Sequence, residues 1–143
     1  DVASRAELRQ SLDAGLPGER IIVSAAVKDR RLIATAMEAG AVLSLDNRDE
    51  LADVVDQARE AGAPARVALR LAVVAPGVAP TRFGLTAQQW LAELAAVDGD
   101  HLRIEGLHFH LNGYAVADRV AGMREALAGV GWPHPRGRTA AAS

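Results

Sequence analysis

Apolar residues along this chain follow two alternating patterns: short continuous runs, and longer stretches in which apolar residues recur every three or four positions. The short runs have the length of buried β-strands, and the longer stretches have the period of amphipathic helices. Capping sequences of the form S-x-x-E and N-x-x-E open helical stretches, and glycines close them. The pattern predicts strands over residues 20–25, 41–46, 66–71 and 103–111, each followed by a helix, with a Pro-rich loop before the helix that follows the third strand.

Strands that alternate with single helices pair in parallel through right-handed crossovers, in open α/β sheets and in eight-stranded barrels alike. The sequence has no G-x-G-x-x-G or G-x-x-x-x-G-K-[ST] loop at a strand-to-helix turn, so a barrel is favoured. A complete barrel needs about 250 residues, whereas this chain has 143, with four full strands and a stub, "DVA", at its start. We predict an α/β fold, a partial (β/α)8 TIM-type barrel with parallel strands, truncated at both ends. Residues 1–131 are predicted to form the barrel and residues 132–143 an irregular tail.

Composition narrows the possible functions. Half of the residues are apolar, the formal charge is -2, and there is no cysteine. Such a chain can form a sizeable core, offers no thiolate for catalysis or metal binding, and carries no basic stripe for nucleic acid. No apolar run is long enough to span a membrane, and a cytoplasmic location is expected. Lys28 is the only lysine.

The stretch "GLHFHLNGY", residues 106–114, ends the fourth predicted strand with two histidines. Because side chains alternate in a strand, His108 and His110 share one face. Two imidazoles on one face begin the metal site of several barrel hydrolases, but they also suit a cofactor site or a packed core. Neither of the other two histidines is well placed as a third metal ligand, because His101 is expected at the opposite end of the strand and His134 lies in the irregular tail. A metal-dependent barrel hydrolase that uses this pair is the less favoured hypothesis.

Six short motifs follow one another along the chain: "DVASRAEL", "PGERIIVSAAVK", "LSLDNRDEL", "VALRL", "TRFGL" and "GLHFHLNG". In this order and spacing they resemble the barrel domain of the alanine racemase-like, fold-type III pyridoxal-phosphate enzymes, most closely the ornithine and diaminopimelate decarboxylases. The resemblance covers about residues 1–125. It implies a pyridoxal 5'-phosphate cofactor, a small-molecule amino acid substrate, decarboxylation as the reaction, and a homodimer in the intact parent. The alternatives are an amino acid racemase of the same fold and a non-catalytic protein that binds pyridoxal phosphate.

The resemblance also implies roles for five positions. His110 matches the histidine that stacks on the pyridine ring of the cofactor, and Asp1 matches an aspartate near the cofactor and is a catalytic candidate. Arg70 matches a site arginine, for which direct cofactor contact and a structural salt bridge are equally good explanations. Asn112 and Gly113 stand where these decarboxylases have a Gly-Ser pair that helps to hold the phosphate, so only amide and backbone donors remain there.

Pyridoxal chemistry needs a lysine that forms a Schiff base with the cofactor. Lys28 is the only candidate, but the resemblance matches it to a lysine that opens the helix after "IIVSA", because too few residues separate it from His110 for the strands that the family places between them. The Schiff-base lysine is therefore expected upstream of Asp1, and this chain alone is expected to be inactive. His108, one layer deeper than His110, is expected to be a hydrogen-bonded core histidine.

Overall fold

The computed structural model describes residues 1–73, 82–97, 99–111 and 116–129. Among these residues, four β-strands alternate with helices, as the apolar pattern predicts. The strands are β1 (Ile22–Val23), β2 (Val42–Leu45), β3 (Ala65–Arg70) and β4 (Leu102–His108). The α-helices are α1 (Arg5–Asp13), α2 (Arg30–Glu38), α3 (Arg48–Ala61), α4 (Ala87–Ala95) and α5 (Val116–Gly129), and short 3-10 helices cover Gly18–Arg20 and Gly99–His101. The predictions for Asn112, for Gly113 and for the tail over residues 132–143 lie outside the described residues.

The strands form one sheet in the order β1-β2-β3-β4, and every neighbouring pair is parallel. The first residues of the chain lie beside β1, because Val2 N donates to Ile22 O at 2.8 Å and Ser24 N donates to Val2 O at 2.9 Å. Val2 therefore forms the parallel bridge to Val23 that the stub "DVA" indicated. The predicted parallel α/β architecture is confirmed.

β4 ends at His108, three residues earlier than the sequence pattern predicts. Leu71 N still donates to His108 O at 2.7 Å, but the next residue of the β3 segment turns to another partner, since Ala72 N donates to Leu85 O at 3.0 Å. A strand continues only where a neighbouring strand accepts and donates its main-chain hydrogen bonds, and beyond Leu71 the β3 segment no longer pairs with β4. His110 consequently lies two residues beyond the strand rather than at its end.

The helices cover one face of the sheet. Val67 and Leu69 of β3 belong to the hydrophobic cluster between sheet and helices, whereas Ala68, which is also buried, stands outside it. This alternation is the period-two pattern of a strand with different surroundings on its two faces. Trp90 of α4 is among the largest side chains that are fully buried.

Local capping sets the helix boundaries where the sequence predicts them. The Asn47 side chain accepts from Glu50 N at 2.9 Å at the start of α3, and Thr86 and Gln89 form a complete capping box at the start of α4. Gly62 ends α3 in the left-handed region with φ of 64°, a conformation that glycine adopts without a steric penalty. No helix within the described residues has both the length and the apolar character needed to cross a membrane.

Candidate functional site

The face of the sheet turned away from the helices carries most of the polar side chains of the strands. We call it the inner face. Because the carboxyl ends of parallel strands meet at one edge of a sheet, polar residues that end different strands lie close together there. The inner face is formed by Ile22, Ser24, Val42, Ser44, Asp46, Ala68, Arg70, Gly106 and His108. A cavity of about 460 Å³ on this face is lined by Asp1, Ile22, Ser24, Val42, Ala68, Glu105, Gly106, Leu107, His108 and Phe109.

Arg70 and Asp46 form a buried ion pair at the carboxyl edge of the sheet. Arg70 Nη1 lies 3.1 Å from Asp46 Oδ1 and 3.2 Å from Oδ2, and both residues are buried. The guanidinium carbon of Arg70 also lies 4.6 Å from the centre of the Phe83 ring, within the range of a cation-π contact. The structure therefore contains the salt bridge that was one explanation for Arg70. Contact of Arg70 with a cofactor stays a prediction.

The loop before α4 fixes Arg70 through its main chain. Trp90 Nε1 and Leu85 N both donate to Arg70 O, at 2.8 Å and 3.1 Å. Gly84 permits this close approach, because its φ is +85° and a Cβ at this position would lie 2.6 Å from Arg70 O. Two residues of the motif "TRFGL" thus have structural roles: the Phe83 ring contacts the guanidinium of Arg70, and Gly84 lets the loop approach the main chain of β3.

His108 is hydrogen-bonded across the inner face. Its Nδ1 lies 2.7 Å from Ser44 Oγ, although Ser44 belongs to β2 and His108 to β4. The bond crosses β3, in which Ala68 is the register partner of Ser44 and Arg70 is that of His108. Partial burial lowers the pKa of His108 and the positive charge of Arg70 lowers it further, while Asp46 acts in the opposite direction. His108 has the hydrogen bond that the sequence analysis expected, but it lines the inner-face cavity and is only half-buried.

A bulge in β4 decides that His108 points to the inner face. Val67 pairs with Ile104, but Ala68 pairs with the residue two positions further along, so Glu105 is an extra residue. An extra residue of this kind reverses the alternation of faces. Without it, His108 would share the face of Ile104 and Val67, which is the helix-covered face. The sequence carries a signal for the bulge that the strand prediction did not use: the apolar positions change from even to odd numbers, from Leu102 and Ile104 to Leu107, Phe109 and Leu111.

The bulged residue is held by a two-point ion pair. Glu105 Oε1 and Oε2 lie 2.7 Å and 2.6 Å from Arg66 Nε and Nη2, and Arg103 Nε lies 3.2 Å from Glu105 Oε1. The hydrogen bonds from Arg66 hold the pKa of Glu105 below its usual value. This pair fixes the bulge at the amino-terminal half of β4, away from the carboxyl edge.

His110 is exposed just after β4. Its two neighbours pack on α5, because a Cβ on Gly122 would lie 3.4 Å from Phe109 Cε2 and 3.5 Å from Leu111 Cδ1. His110 itself is exposed, and its charge contributes to lowering the pKa of His108. Phe109 is partly buried and lies against α5. Stacking of His110 on a cofactor stays a prediction.

Asp1 borders the inner-face cavity at the edge beside β1. Ser24 Oγ donates to Asp1 Oδ2 at 3.0 Å, which orients the carboxylate. Glu7, in contrast, has a purely local role, since its carboxylate accepts from Ala3 N at 2.7 Å while Ser4 Oγ accepts from Glu7 N at 3.2 Å. A catalytic role for Asp1 stays a prediction.

Lys28 makes a buried ion pair with Glu50. Its Nζ lies 3.1 Å and 2.9 Å from Glu50 Oε1 and Oε2 and 2.8 Å from Ala25 O, and its side chain is 0% exposed. Glu50 Oε2 also accepts from Asp46 N at 2.9 Å. The bonds to Glu50 tie the loop after β1 to the start of α3, the bond to Ala25 O lies within that loop, and Lys28 does not line the inner-face cavity.

The described residues contain no group of three or more His, Asp or Glu side chains arranged to hold a metal ion. The metal-hydrolase hypothesis thus gains no third ligand for His108 and His110 from the described part of the chain.

Comparison with known proteins identifies the family. The family model described as "Pyridoxal-dependent decarboxylase, pyridoxal binding domain" matches residues 1–127. This chain belongs to the pyridoxal-dependent decarboxylase family. The resemblance stated from the motifs is confirmed, and the cofactor of the family's pyridoxal-binding domain is pyridoxal phosphate.

Relatives of this pyridoxal-dependent decarboxylase domain are longer proteins. The uncharacterised protein y4yA of Sinorhizobium fredii is 32% identical over 127 residues, which are 88% of this chain and 27% of that protein. Diaminopimelate decarboxylase of Zymomonas mobilis is 32% identical over 124 residues, which are 78% of this chain and 29% of that protein. The crystal structure of diaminopimelate decarboxylase from M. jannaschii in complex with L-lysine has a TM-score of 0.77 at 21% identity, and the match covers 90% of this chain and 33% of that chain. The structural likeness establishes the partial barrel fold, and the chain spans about a third of the length of these proteins or less.

Proposed function

We propose that the inner face forms one wall of the pyridoxal-phosphate site of an amino acid decarboxylase of the diaminopimelate and ornithine decarboxylase type. The observation that carries this proposal is the convergence of polar side chains at or just after the ends of the four strands, beside a cavity of about 460 Å³, in a chain of this family. The substrate, the decarboxylation and a homodimer in the intact parent belong to the whole protein and are parts of the same proposal.

The residues at the carboxyl edge fit this cofactor, because the exposed ring of His110 and the fixed cation of Arg70 lie there. In the proposal, His110 stacks on the pyridine ring, Arg70 lies near the ring with its position fixed by Asp46, and Asn112 and Gly113 donate to the phosphate. Bound pyridoxal phosphate supplies the electron sink for decarboxylation, and the residues of this chain bind and orient it.

Lys28 is excluded from covalent cofactor binding in this proposal. A nucleophilic amine must lose its proton and reach the cofactor, whereas Lys28 is buried with its ammonium bonded to both carboxylate oxygens of Glu50. Since the sequence has no other lysine, we propose that these 143 residues alone bind the cofactor without catalysing decarboxylation. Racemisation by the same fold is a weaker alternative, because the matched family is one of decarboxylases.

The first test measures pyridoxal-phosphate binding by the purified chain through the absorbance and fluorescence of the cofactor. His110→Ala is expected to weaken binding by about 1 to 2 kcal/mol, about fivefold to thirtyfold, because the ring contact and its buried area are lost. His101→Ala, at the opposite end of β4, is the control and should bind as the wild type does. Equal affinity of the His110 and His101 variants, or no binding by the wild type, would contradict the proposal.

The second test asks whether Lys28 reacts with the cofactor. Pyridoxal phosphate is added to the chain, borohydride reduces any adduct, and mass spectrometry of peptides locates it. We expect no adduct on Lys28 in the folded chain and a clear adduct on Lys28 when the same reaction is run in concentrated urea. An adduct on Lys28 of the folded chain, lost on Lys28→Arg substitution, would make Lys28 the covalent lysine.

A further inference from the structure

Four buried charged residues form one continuous network from the loop after β1 to the end of β3. Lys28 Nζ lies 2.9 Å from Glu50 Oε2, and the same oxygen accepts from Asp46 N at 2.9 Å. Asp46 Oδ1 in turn lies 3.1 Å from Arg70 Nη1. All four residues are buried. Buried ion pairs often add little net stability, so the effect that distinguishes this network is the geometry it imposes on its members.

The contact between Asp46 and Arg70 does not by itself fix the direction of the guanidinium. Both carboxylate oxygens of Asp46 lie near one nitrogen, Nη1, at 3.1 Å and 3.2 Å. In the Arg66–Glu105 pair, two nitrogens face two oxygens, and this fork arrangement defines the orientation of both groups. The direction of Arg70 therefore depends on how firmly Asp46 is held.

Glu50 holds Asp46 through the main chain. Asp46 directly precedes Asn47, the N-cap of α3, and Glu50 is the third residue of that helix. In a capping box the side chain at this position bonds to the main-chain N–H of the N-cap, whereas Glu50 reaches one residue further back, to Asp46 N. The ammonium of Lys28, bonded to both oxygens of Glu50, fixes the carboxylate in this place.

The start of α1 contains the same local arrangement without the network. Glu7 is the third residue of α1, and its Oε2 accepts from Ala3 N at 2.7 Å, one residue before the N-cap. Glu7 is exposed, and the residue that it holds carries no charged group. At α3 the corresponding carboxylate of Glu50 is buried against Lys28, and the residue that it holds is Asp46.

We infer that Glu50 and Lys28 are positioning residues for Arg70, the cation that the proposed function puts near the pyridine ring. Lys28 fixes the carboxylate of Glu50, and Glu50 fixes the main chain at Asp46. The carboxylate of Asp46 then sets the direction of the Arg70 guanidinium. The relevance of this direction to cofactor binding rests on the proposed function, whereas the coupling between Glu50 and Arg70 does not.

The coupling is measured with two double variants that differ in one group. Lys28→Met with Glu50→Gln removes both charges but keeps an oxygen that accepts from Asp46 N, whereas Lys28→Met with Glu50→Leu removes this acceptor as well. Removing both charges together leaves neither of them buried and unpaired. Glu7→Leu is the control, because it deletes the corresponding bond at the start of α1.

The first readout is the Nε–H signal of Arg70 in ¹H–¹⁵N spectra, assigned by its loss in Arg70→Lys. The Phe83 ring should shift this signal, and its proton should exchange slowly with water because the side chain is 9% exposed. The Glu50→Gln double variant and the Glu7 control should keep both properties. The Glu50→Leu double variant should lose the shift and exchange at least about tenfold faster.

An unchanged Arg70 signal in the Glu50→Leu double variant would overturn the inference. Loss of both properties in both double variants would overturn it too, because the acceptor for Asp46 N would not be the deciding group. Urea titration checks that each variant is folded. If the Glu50→Leu double variant does not fold, the single variant Glu50→Asp replaces it, because the shorter side chain keeps its charge but does not reach Asp46 N. The same change of the Arg70 signal is then expected, and an unchanged signal again overturns the inference.

The second readout is pyridoxal-phosphate affinity, which tests the link to the site. The Glu50→Leu double variant should bind about threefold to tenfold more weakly than the wild type, and the Glu50→Gln double variant and the Glu7 control should stay within about twofold. Unchanged affinity with an altered Arg70 signal would refute the role in binding, while the proposed function would still stand on His110→Ala. If the wild type does not bind pyridoxal phosphate, the proposed function fails, and the Arg70 spectra still decide whether Glu50 positions Arg70.

Discussion

Individual charged residues differ sharply in how far they are removed from water. The pair Arg70–Asp46 has side chains 9% and 4% exposed, whereas the pair Arg59–Asp56 on α3 has side chains 58% and 56% exposed. Water screens an exposed pair, and a buried pair is costly to break because the remaining partner is left charged and desolvated. The two pairs therefore form a matched comparison within one chain.

Asp46→Asn is expected to destabilise the chain by about 3 kcal/mol, because it leaves the Arg70 cation buried without its counter-charge. The matched change Asp56→Asn should cost less than about 1 kcal/mol. The free energy of unfolding from urea titrations at 25 °C checks both values. Similar costs for the two variants would mean that the Arg70–Asp46 pair is effectively solvated.

His108 is also expected to make stability depend on pH. Its pKa is lowered in the folded chain, whereas an unfolded histidine titrates near about 6.5. The unfolded chain therefore takes up a proton first on acidification, so the stability contributed by neutral His108 is present above about pH 6.5 and is lost as the pH falls toward the folded pKa. Unfolding free energies of the wild type and of His108→Gln, measured from pH 7.5 to pH 5, should converge with falling pH. Parallel curves would contradict this, and His101→Gln serves as the control.

At the scale of elements, the described part of the connection from β3 to α4 contacts Arg70 directly. The main chain after β3 pairs with Leu85, and Trp90 of α4 donates to Arg70 O. Gly84 has nearly the same φ as Gly15, +85° against +84°, but a Cβ on Gly15 would have nothing within 4 Å. The two glycines separate the cost of backbone conformation from the cost of a steric clash.

Gly15→Ala should cost about 1 to 2 kcal/mol, which is the usual penalty for a left-handed alanine. Gly84→Ala should cost more, because its Cβ would lie 2.6 Å from Arg70 O and would push the loop off the strand. Thermal unfolding gives both penalties, and the fluorescence of Trp90 should change only in the Gly84 variant. Equal penalties would show that the loop moves without loss of other contacts.

At the scale of the whole molecule, one long edge of the sheet has no neighbouring strand among the described residues. β4 pairs only with β3 among the described strands, and Ile104 on this strand is 48% exposed. On α5, the residues Val116, Val120 and Met123 are exposed to 76%, 43% and 55%. Unpaired strand edges beside apolar surface favour association with another chain.

Self-association through this edge is the prediction at the molecular scale. Sedimentation velocity of the purified chain should detect oligomers whose proportion rises with concentration. Ile104→Lys should reduce them, because charged side chains on an edge strand oppose pairing. Leu16→Lys, which alters a residue 46% exposed after α1, should not. A wild-type chain that stays monomeric at all concentrations would contradict the prediction.

The sequence by itself determined the elements, their order and their parallel pairing. This was possible because helix and strand periods are local, and because caps such as Asn47 and Thr86 act within one turn. The motifs also indicated the family, since their order survives where individual residues differ. A salt bridge was one of the two explanations that the sequence offered for Arg70, but the sequence did not identify its partner, because nothing in the local pattern at the end of β2 selects Asp46.

Only the tertiary structure decided which polar residues meet. The contacts Asp46–Arg70 and Ser44–His108 each join residues from different strands, and they depend on register rather than on sequence spacing. The register in turn depends on the bulge at Glu105, which turns His108 from the helix-covered face to the inner face. A displacement of one residue reverses every side chain beyond it, so local periodicity fixes the strands while the direction of their functional side chains is fixed by their neighbours.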